Sequence, residues 1–456
     1  MTDLLPRSRP EDQGVPTAAL ARLVSALDAI EHVHTVTVIR HGHVVLAATW
    51  APYERDAPHA MYSVSKSFTS TAVGLAIDER LLALDDLVVD LLPDLVPEEP
   101  SPQLGALSVR HLLTMSTGHA AEPEWHASDQ WARAILAAEL EFAPGTHWLY
   151  NTAATYLLSE IVQRRTGERL LDYLTPRLFA PLGFQEPWWL QSPTGVDAGG
   201  YGLMIRAEEL AAFGQLLLQR GEWHGDQLVP AQWIDLATSA QIANGDEASG
   251  HWDQQGYGFQ FWRCPDGAYR GDGAFGQYVI VLPEQDAVVA ITGGLENMHL
   301  PPAAIWSELL PAFDTTEAEA SLPSPLVIPP AGGAQRDTEL EYAYTAGPIA
   351  RLRIGPESLA INGVELACAP DEWAVGELVL DGEREWFGDR VAVSGGWRGG
   401  DFIALLRVLK DAVTFRIRLS PSGELTITRD VGFDGPDVWS GPPATAPIRE
   451  APSSAG

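Results

Sequence analysis

Two β-rich stretches lying more than two hundred residues apart constrain this chain most. "TVTVIRHGHVVLAATW" (35–50) reads as two β-branched runs about a turn at His41-Gly42, a β-hairpin, and "QYVIVLP" (277–283) and "DAVVAITGG" (286–294) read as later strands. Between them apolar residues recur at helical intervals. The clearest case is 63–80, with Phe68, Val73, Ala76 and Ile77, and the same spacing predicts helices at 108–115, 129–140, 153–166, 206–220 and 230–238. Residues 18–30 and 302–313 also have helical spacing, and "YGFQFW" (257–262) reads as a strand. Strands at both ends of a helical insert predict one sheet assembled from the two termini of an α/β domain.

Downstream, "TTEAEASLPSPLVIPPAGGAQ" (315–335) has the proline, alanine and glycine content of a linker. Short alternating runs such as "ARLRIG", "LVLDG", "FIALLRVL", "VTFRIRL" and "ELTITRD" then fill 336–445, as expected for a small all-β barrel or sandwich domain. The expected organisation is therefore a domain at 1–314, a linker at 315–335, a β domain at 336–445 and a disordered tail at 446–456.

The formal charge of -32 argues against nucleic acid and anionic membrane partners, which basic patches would have to attract. No apolar stretch approaches the length of a membrane span, and the first residues have no apolar core after a basic start, so a cytoplasmic location is expected. The two cysteines, Cys264 and Cys368, lie far apart and are expected buried and reduced. His32 with His34 and His41 with His43 have H-x-H spacing, but no cysteine or carboxylate constellation joins them, and no metal or cofactor is expected.

The chain holds only two lysines, and one of them, Lys66, lies in "MYSVSKSFTSTA" (61–72). Ser63 and Lys66 are three apart at the start of a helix, so their side chains project from one face. A serine hydroxyl needs a nearby base, and lysine can act as one because burial lowers its pKa; arginine stays protonated. The helix N-terminus favours the negative charge that develops on an attacked carbonyl.

With the segments "YSVSKSFTS", "LSVRHLLTMSTGH" (107–119), "WLYNTAATYLLSEIVQRRTG" (148–167), "GGYGLMIRAEELAAFGQLLLQRGEW" (199–223) and "GDGAFGQYVIVLPEQDAVVAITGG" (271–294), this S-x-x-K resembles the serine β-lactamase and penicillin-binding-protein superfamily. It is most similar to the class C type esterases, D-peptidases and 6-aminohexanoate-oligomer hydrolases. The resemblance implies an antiparallel sheet with flanking helices and a large helical insert. It also implies Ser63 as nucleophile, Lys66 as its base, and Tyr150 as a partner in proton transfer whose phenol is made more acidic by the ammonium.

Two departures bear on substrate. The second motif carries Asn151 and Thr152 where Y-x-N is usual, which moves the asparagine expected to meet a substrate amide. The third, K-T-G or H-x-G, aligns with Gly271-Asp272-Gly273, placing the acid Asp272 where a base would greet a substrate carboxylate. Gly273 allows close approach of substrate, and the backbone N–H of Ala274 would join that of Ser63 in an oxyanion hole.

A serine hydrolase of small, neutral or cationic esters or amides is expected. β-Lactamase or D-alanyl-D-alanine carboxypeptidase activity ranks second, acyl transfer stays open, and the non-enzymatic alternative is an inactive ligand-binding relative. Trp125, Trp131, Trp148, Trp188 and Trp189 are core candidates of which one or two could line an acyl site. The β domain is expected to be structural or to serve homo-oligomerisation, with a lid over the site as its alternative.

Overall fold

The structure, a computed structural model, describes residues 4–245, 251–318, 320–378, 390–433 and 435–444. The hairpin is present as β1 (Val33–Arg40) and β2 (His43–Thr49), with His41 and Gly42 both at positive φ in the turn. The later strands are β3 (Trp262–Arg263), β4 (Tyr269–Gly273), β5 (Gln277–Leu282) and β6 (Ala287–Gly293). They form one antiparallel sheet of order β2-β1-β6-β5-β4-β3, in which β1 from the start of the chain pairs with β6 from beyond the insert.

Both faces of this sheet are covered. On one, Val36, Val38, Ile280, Val289 and Ile291 pack with Leu20, Leu23, Val24 and Leu27 of α1 (Thr17–Asp28) and with Ile305 and Leu309. Their strand neighbours Ile39, Val279, Val281, Val288 and Ala290 point the other way, into the core shared with α2 (Ser65–Asp78), α3 (Thr152–Thr166) and α4 (Ala207–Leu218). Each such buried Val, Leu or Ile contributes about 1.5–3 kcal/mol relative to leaving it in water.

Helix α2 is buried continuously from Ser65 to Ala76, polar residues included. Two of its hydroxyls are satisfied by backbone of neighbouring loops, Ser67 donating to the Gln260 carbonyl (3.0 Å) and Thr69 to that of Gly199 (2.8 Å), while Ser70 Oγ is buried with no partner among the described residues. The small polar residues of "SKSFTSTA" thus let the loops at Gly199 and Gln260 close in on the helix.

One strand reading is corrected. In "YGFQFW" only Trp262 is in a strand; Tyr257, Phe259 and Phe261 are core residues of a folded loop, in which Gln260 has φ of 67°. Their alternation with Gly258 and Gln260 mimics a period of two.

The C-terminal region is a β meander. Leu340–Ala343, Arg351–Ile354, Ser358–Ile361 and Val364–Ala367 form a four-stranded sheet. Ala374–Glu377, Arg390–Arg398, Asp401–Val408, Thr414–Leu419, Leu425–Arg429 and Asp437–Gly441 form a six-stranded one. The Ala444 N–H donates to the Ala343 carbonyl (2.7 Å), bringing the end of the meander back to its first strand, as in a barrel. The expected strand "LVLDG" falls largely, and the expected tail 446–456 wholly, outside the described residues.

The proline-rich segment between the halves is tied down rather than free. Ala51 exchanges backbone hydrogen bonds with Leu326 (3.0 Å) and Ile328 (2.8 Å), and Ala334 does so with Trp397 (2.9 Å each way). A hydrophobic cluster also crosses from one half to the other, joining Ala60, Tyr62, Met204 and Phe275 to the core of the β meander.

Candidate active site

Ser63 sits in a tight helical turn (Tyr62–Val64) that runs straight into α2. Tyr62 has φ of 46°, a conformation a side chain rarely adopts, and neighbouring bonds hold the turn there. The Met61 N–H donates to the Leu203 carbonyl (2.9 Å), and the Ser65 hydroxyl to the Tyr62 carbonyl (2.6 Å). Lys66, one turn on, is 1% exposed.

The Lys66 Nζ lies 3.0 Å from Ser63 Oγ, 2.8 Å from the Gly200 carbonyl and 3.3 Å from Thr152 Oγ1. Gly200 has to be glycine for this, since a β-carbon there would stand 2.6 Å from Thr152 Cγ2. Burial pushes the Lys66 amine down to about 7, while the charges of Glu122 and Asp272 pull it the other way. An amine with that value is neutral for much of the time near neutral pH and can take the Ser63 proton.

Tyr150 completes the cluster. Its ring centroid is 4.9 Å from Lys66 Nζ, its ring stacks on Trp262 at 5.4 Å, and it lines the same cleft as Ser63. The expected acidification of this phenol is reversed: burial raises its pKa, the nearby Ser63 hydroxyl only partly offsets this, and the charges of Asp272 and Glu122 add to the rise. Burial thus favours the neutral form of the Tyr150 hydroxyl.

The second-motif neighbours divide. Thr152 faces the cluster through Oγ1, and the N–H groups of Thr152 and Ala153 donate to Glu122 Oε1 at 2.8 and 3.2 Å. Asn151 does not enter the cleft. It is fully buried and caps α3, with Oδ1 accepting from the Ala154 N–H (3.3 Å) and Nδ2 reaching His119 Nδ1 (3.2 Å).

Strand β4 forms the opposite wall. A β-carbon on Gly273 would stand 2.5 Å from the Met61 carbonyl oxygen, so only glycine lets this strand lie against the Ser63 turn. Ala274 follows directly and lines the same cleft as Ser63, placing the two residues whose N–H groups were expected to face an oxyanion on either side of one space.

That space is a cleft of about 290 Å³, bounded by Tyr150, Trp252, Trp262, Arg270, Asp272 and Phe433 among others. Asp272 is not a lone acid. Its Oδ2 accepts from Arg270 Nε (2.8 Å), and Arg270, 1% exposed, also bonds Asp253 and lies 4.5 Å above the Trp252 ring. Two carboxylates around one guanidinium leave this wall acidic on balance.

Arg270, Trp252, Trp262 and Phe433 were not legible as site residues. The tryptophans singled out from the sequence lie elsewhere: Trp125 and Trp131 pack edge to face in the core, Trp189 is buried, and Trp188 is 44% exposed beside Met204. Trp148 is nearest the cleft, packing against Trp262 at 5.6 Å.

His34 Nδ1 and His59 Nε2 share a hydrogen bond (2.9 Å) beneath Tyr53, and His41 bonds Gln13 (3.2 Å). Among the described residues one group, His251, Asp253 and His299 at the rim of the cleft, has the donor types and spacing to hold a metal ion.

The chain is 26% identical over 317 residues to the 6-aminohexanoate-dimer hydrolase of Paenarthrobacter ureafaciens, covering 63% of this chain and 81% of that one. It is 23% identical over 383 residues to the lovastatin esterase of Penicillium rubens, covering 77% of each. Two further curated relatives share 25% and 27% identity, and of their lengths the chain spans only 66% and 43%. The crystal structure of SurE with D-Leu superposes with a TM-score of 0.54 at 18% identity, over 92% of this chain and 96% of that one, a likeness of fold. The profile of the Beta-lactamase family matches residues 7–296, well over half the sequence, and the chain belongs to that family.

Proposed function

We propose that this protein is a serine hydrolase of small ester or amide substrates, working through an acyl-enzyme on Ser63. The observation that carries the reading is the 3.0 Å contact between Ser63 Oγ and a buried lysine amine whose pKa burial brings to about 7. Neutral Lys66 accepts the hydroxyl proton as Ser63 Oγ bonds to the carbonyl carbon. The carbonyl oxygen becomes an oxyanion, which the N–H groups of Ser63 and Ala274 meet, each such donor worth about 3–4 kcal/mol in the transition state. Collapse expels the alkoxide or amine, which takes a proton from Lys66 by way of the Tyr150 hydroxyl. Water then attacks the acyl group along the reverse route, or another acceptor does so in acyl transfer.

The pH dependence follows from the sign of the Lys66 shift. Below about 7 the amine is protonated and cannot accept; above it the base is free. Plotted as kcat/KM for p-nitrophenyl butyrate, activity is expected to rise with pH along a single acid limb near 7 and then level off. A profile flat from pH 5.5 to 9 counts against Lys66 as the base.

Substrate charge follows from the wall formed by Asp272, Arg270 and Asp253. Neutral or cationic substrates suit it, and an anionic substrate meets two carboxylates around one guanidinium. The anionic β-lactam nitrocefin is expected to turn over at least about 100-fold more slowly, in kcat/KM, than p-nitrophenyl acetate, a difference of about 2.7 kcal/mol. Comparable rates would favour the β-lactamase reading instead. Two relatives, named as a 6-aminohexanoate-dimer hydrolase and a lovastatin esterase, support a reading as a hydrolase of acyl substrates.

A further inference from the structure

We propose that Asp411, carried by the C-terminal β domain, is a positioning residue for the catalytic turn, acting through the phenol of Tyr62. This rests on the reading of Ser63 as nucleophile. Asp411 lies between the strands Asp401–Val408 and Thr414–Leu419, on a hairpin pressed against the first residues of the Ser63 turn. The Tyr62 hydroxyl donates to Asp411 Oδ1 at 2.6 Å, and Asp411 is 1% exposed. The same carboxylate oxygen accepts from the Ala412 N–H (2.6 Å), and the adjacent Lys410 carbonyl accepts from the Ala60 N–H (2.8 Å).

The consequence lies in what Tyr62 touches. It immediately precedes Ser63 and holds a left-handed backbone conformation that surrounding contacts must maintain. Its ring stands edge-on to Phe275, with centroids 5.2 Å apart and planes at 89°, and Phe275, itself at φ of 63°, immediately follows Ala274. One side chain therefore braces the residues next to both oxyanion donors, and its far end is anchored by a carboxylate from the other domain. Loss of the anchor should loosen the spacing of the Ser63 and Ala274 N–H groups, which matters in the transition state more than in substrate binding.

The test is steady-state kinetics on p-nitrophenyl butyrate at 25 °C, with thermal unfolding followed in parallel, for wild type, Asp411→Ala, Asp411→Asn, Tyr62→Phe and the Asp411→Ala/Tyr62→Phe double variant. Asp411→Ala and Tyr62→Phe are expected to lower kcat by about 10- to 100-fold with KM within about twofold. Asp411→Asn, whose amide oxygen still accepts the phenol, should stay within about threefold of wild type. The double variant should be no worse than the poorer single one, because both break the same bond.

Variants that lose melting temperature but keep kcat would reduce the contact to domain adhesion and overturn the proposal, as would losses that multiply in the double variant. Should Asp411→Ala fail to fold, Tyr62→Phe, which removes a single oxygen, decides alone. A wild type inert to the ester removes the hydrolase reading and this inference with it. An active wild type with unaltered Tyr62→Phe kinetics removes this inference only.

Discussion

Ser63→Ala is expected to abolish covalent chemistry while leaving the fold in place. Intact-mass spectrometry after incubation with a fluorophosphonate, or with a slowly hydrolysed ester, should show one adduct on the wild-type chain and none on the variant, and kcat/KM should fall by at least about 10⁴-fold. The fold should survive because the lost hydroxyl is one of three Lys66 partners, and the Gly200 carbonyl and Thr152 hydroxyl remain. Unfolding stability should change by no more than about 1 kcal/mol. An adduct of undiminished yield on Ser63→Ala would place the nucleophile elsewhere.

Lys66→Arg should be nearly as severe. A guanidinium keeps the positive charge but cannot release a proton at any working pH, so the step that activates Ser63 disappears. A general base in such a position contributes about 10²- to 10⁴-fold, or about 3–5 kcal/mol of barrier. Arginine is also bulkier, in a site where Lys66 is 1% exposed, so Lys66→Met, similar in length and uncharged, separates the loss of the base from crowding. Both variants are expected to lose activity on p-nitrophenyl butyrate by at least about 100-fold. If Lys66→Met retains wild-type kcat, the amine is not the base, and proton transfer would have to run through Tyr150 alone.

The parts of the site that could be read from the chain are those held by local geometry. Ser63 and Lys66 meet because three residues of helix bring them together, and β1, β2, β5 and β6 announce themselves by β-branched runs. Tyr150 came from resemblance to other chains, since nothing local ties residue 150 to residue 63. What escaped depends on contacts between distant segments. The Gly200 carbonyl that accepts from Lys66 is a backbone atom 134 residues away. The pairing of Arg270 with Asp272 and Asp253 changes an apparent lone acid into one arm of an ion network. Asn151, the asparagine moved from the usual substrate-contacting place, is a helix cap, a role that the following helix could have suggested. The phenol of Tyr150 responds to burial more than to its cationic neighbour, and burial is a property of the folded chain.

The cleft also draws on the second half of the molecule: Phe433, 84% exposed, reaches its rim and lies 5.3 Å from Phe275. On the proposed mechanism, a residue more than 350 positions after Ser63 would thus help to shape the space open to a substrate.

The proline-rich segment that joins the halves has its own consequence. Because it hydrogen-bonds to Ala51 on one side and to Trp397 on the other, while Tyr62 and Phe275 sit in a cluster with residues of the meander, the seam in the sequence does not coincide with a seam in the packing. Grafting the front half onto a different partner would require transplanting its docking face as well, so recombination between relatives is tolerated only where both surfaces travel together.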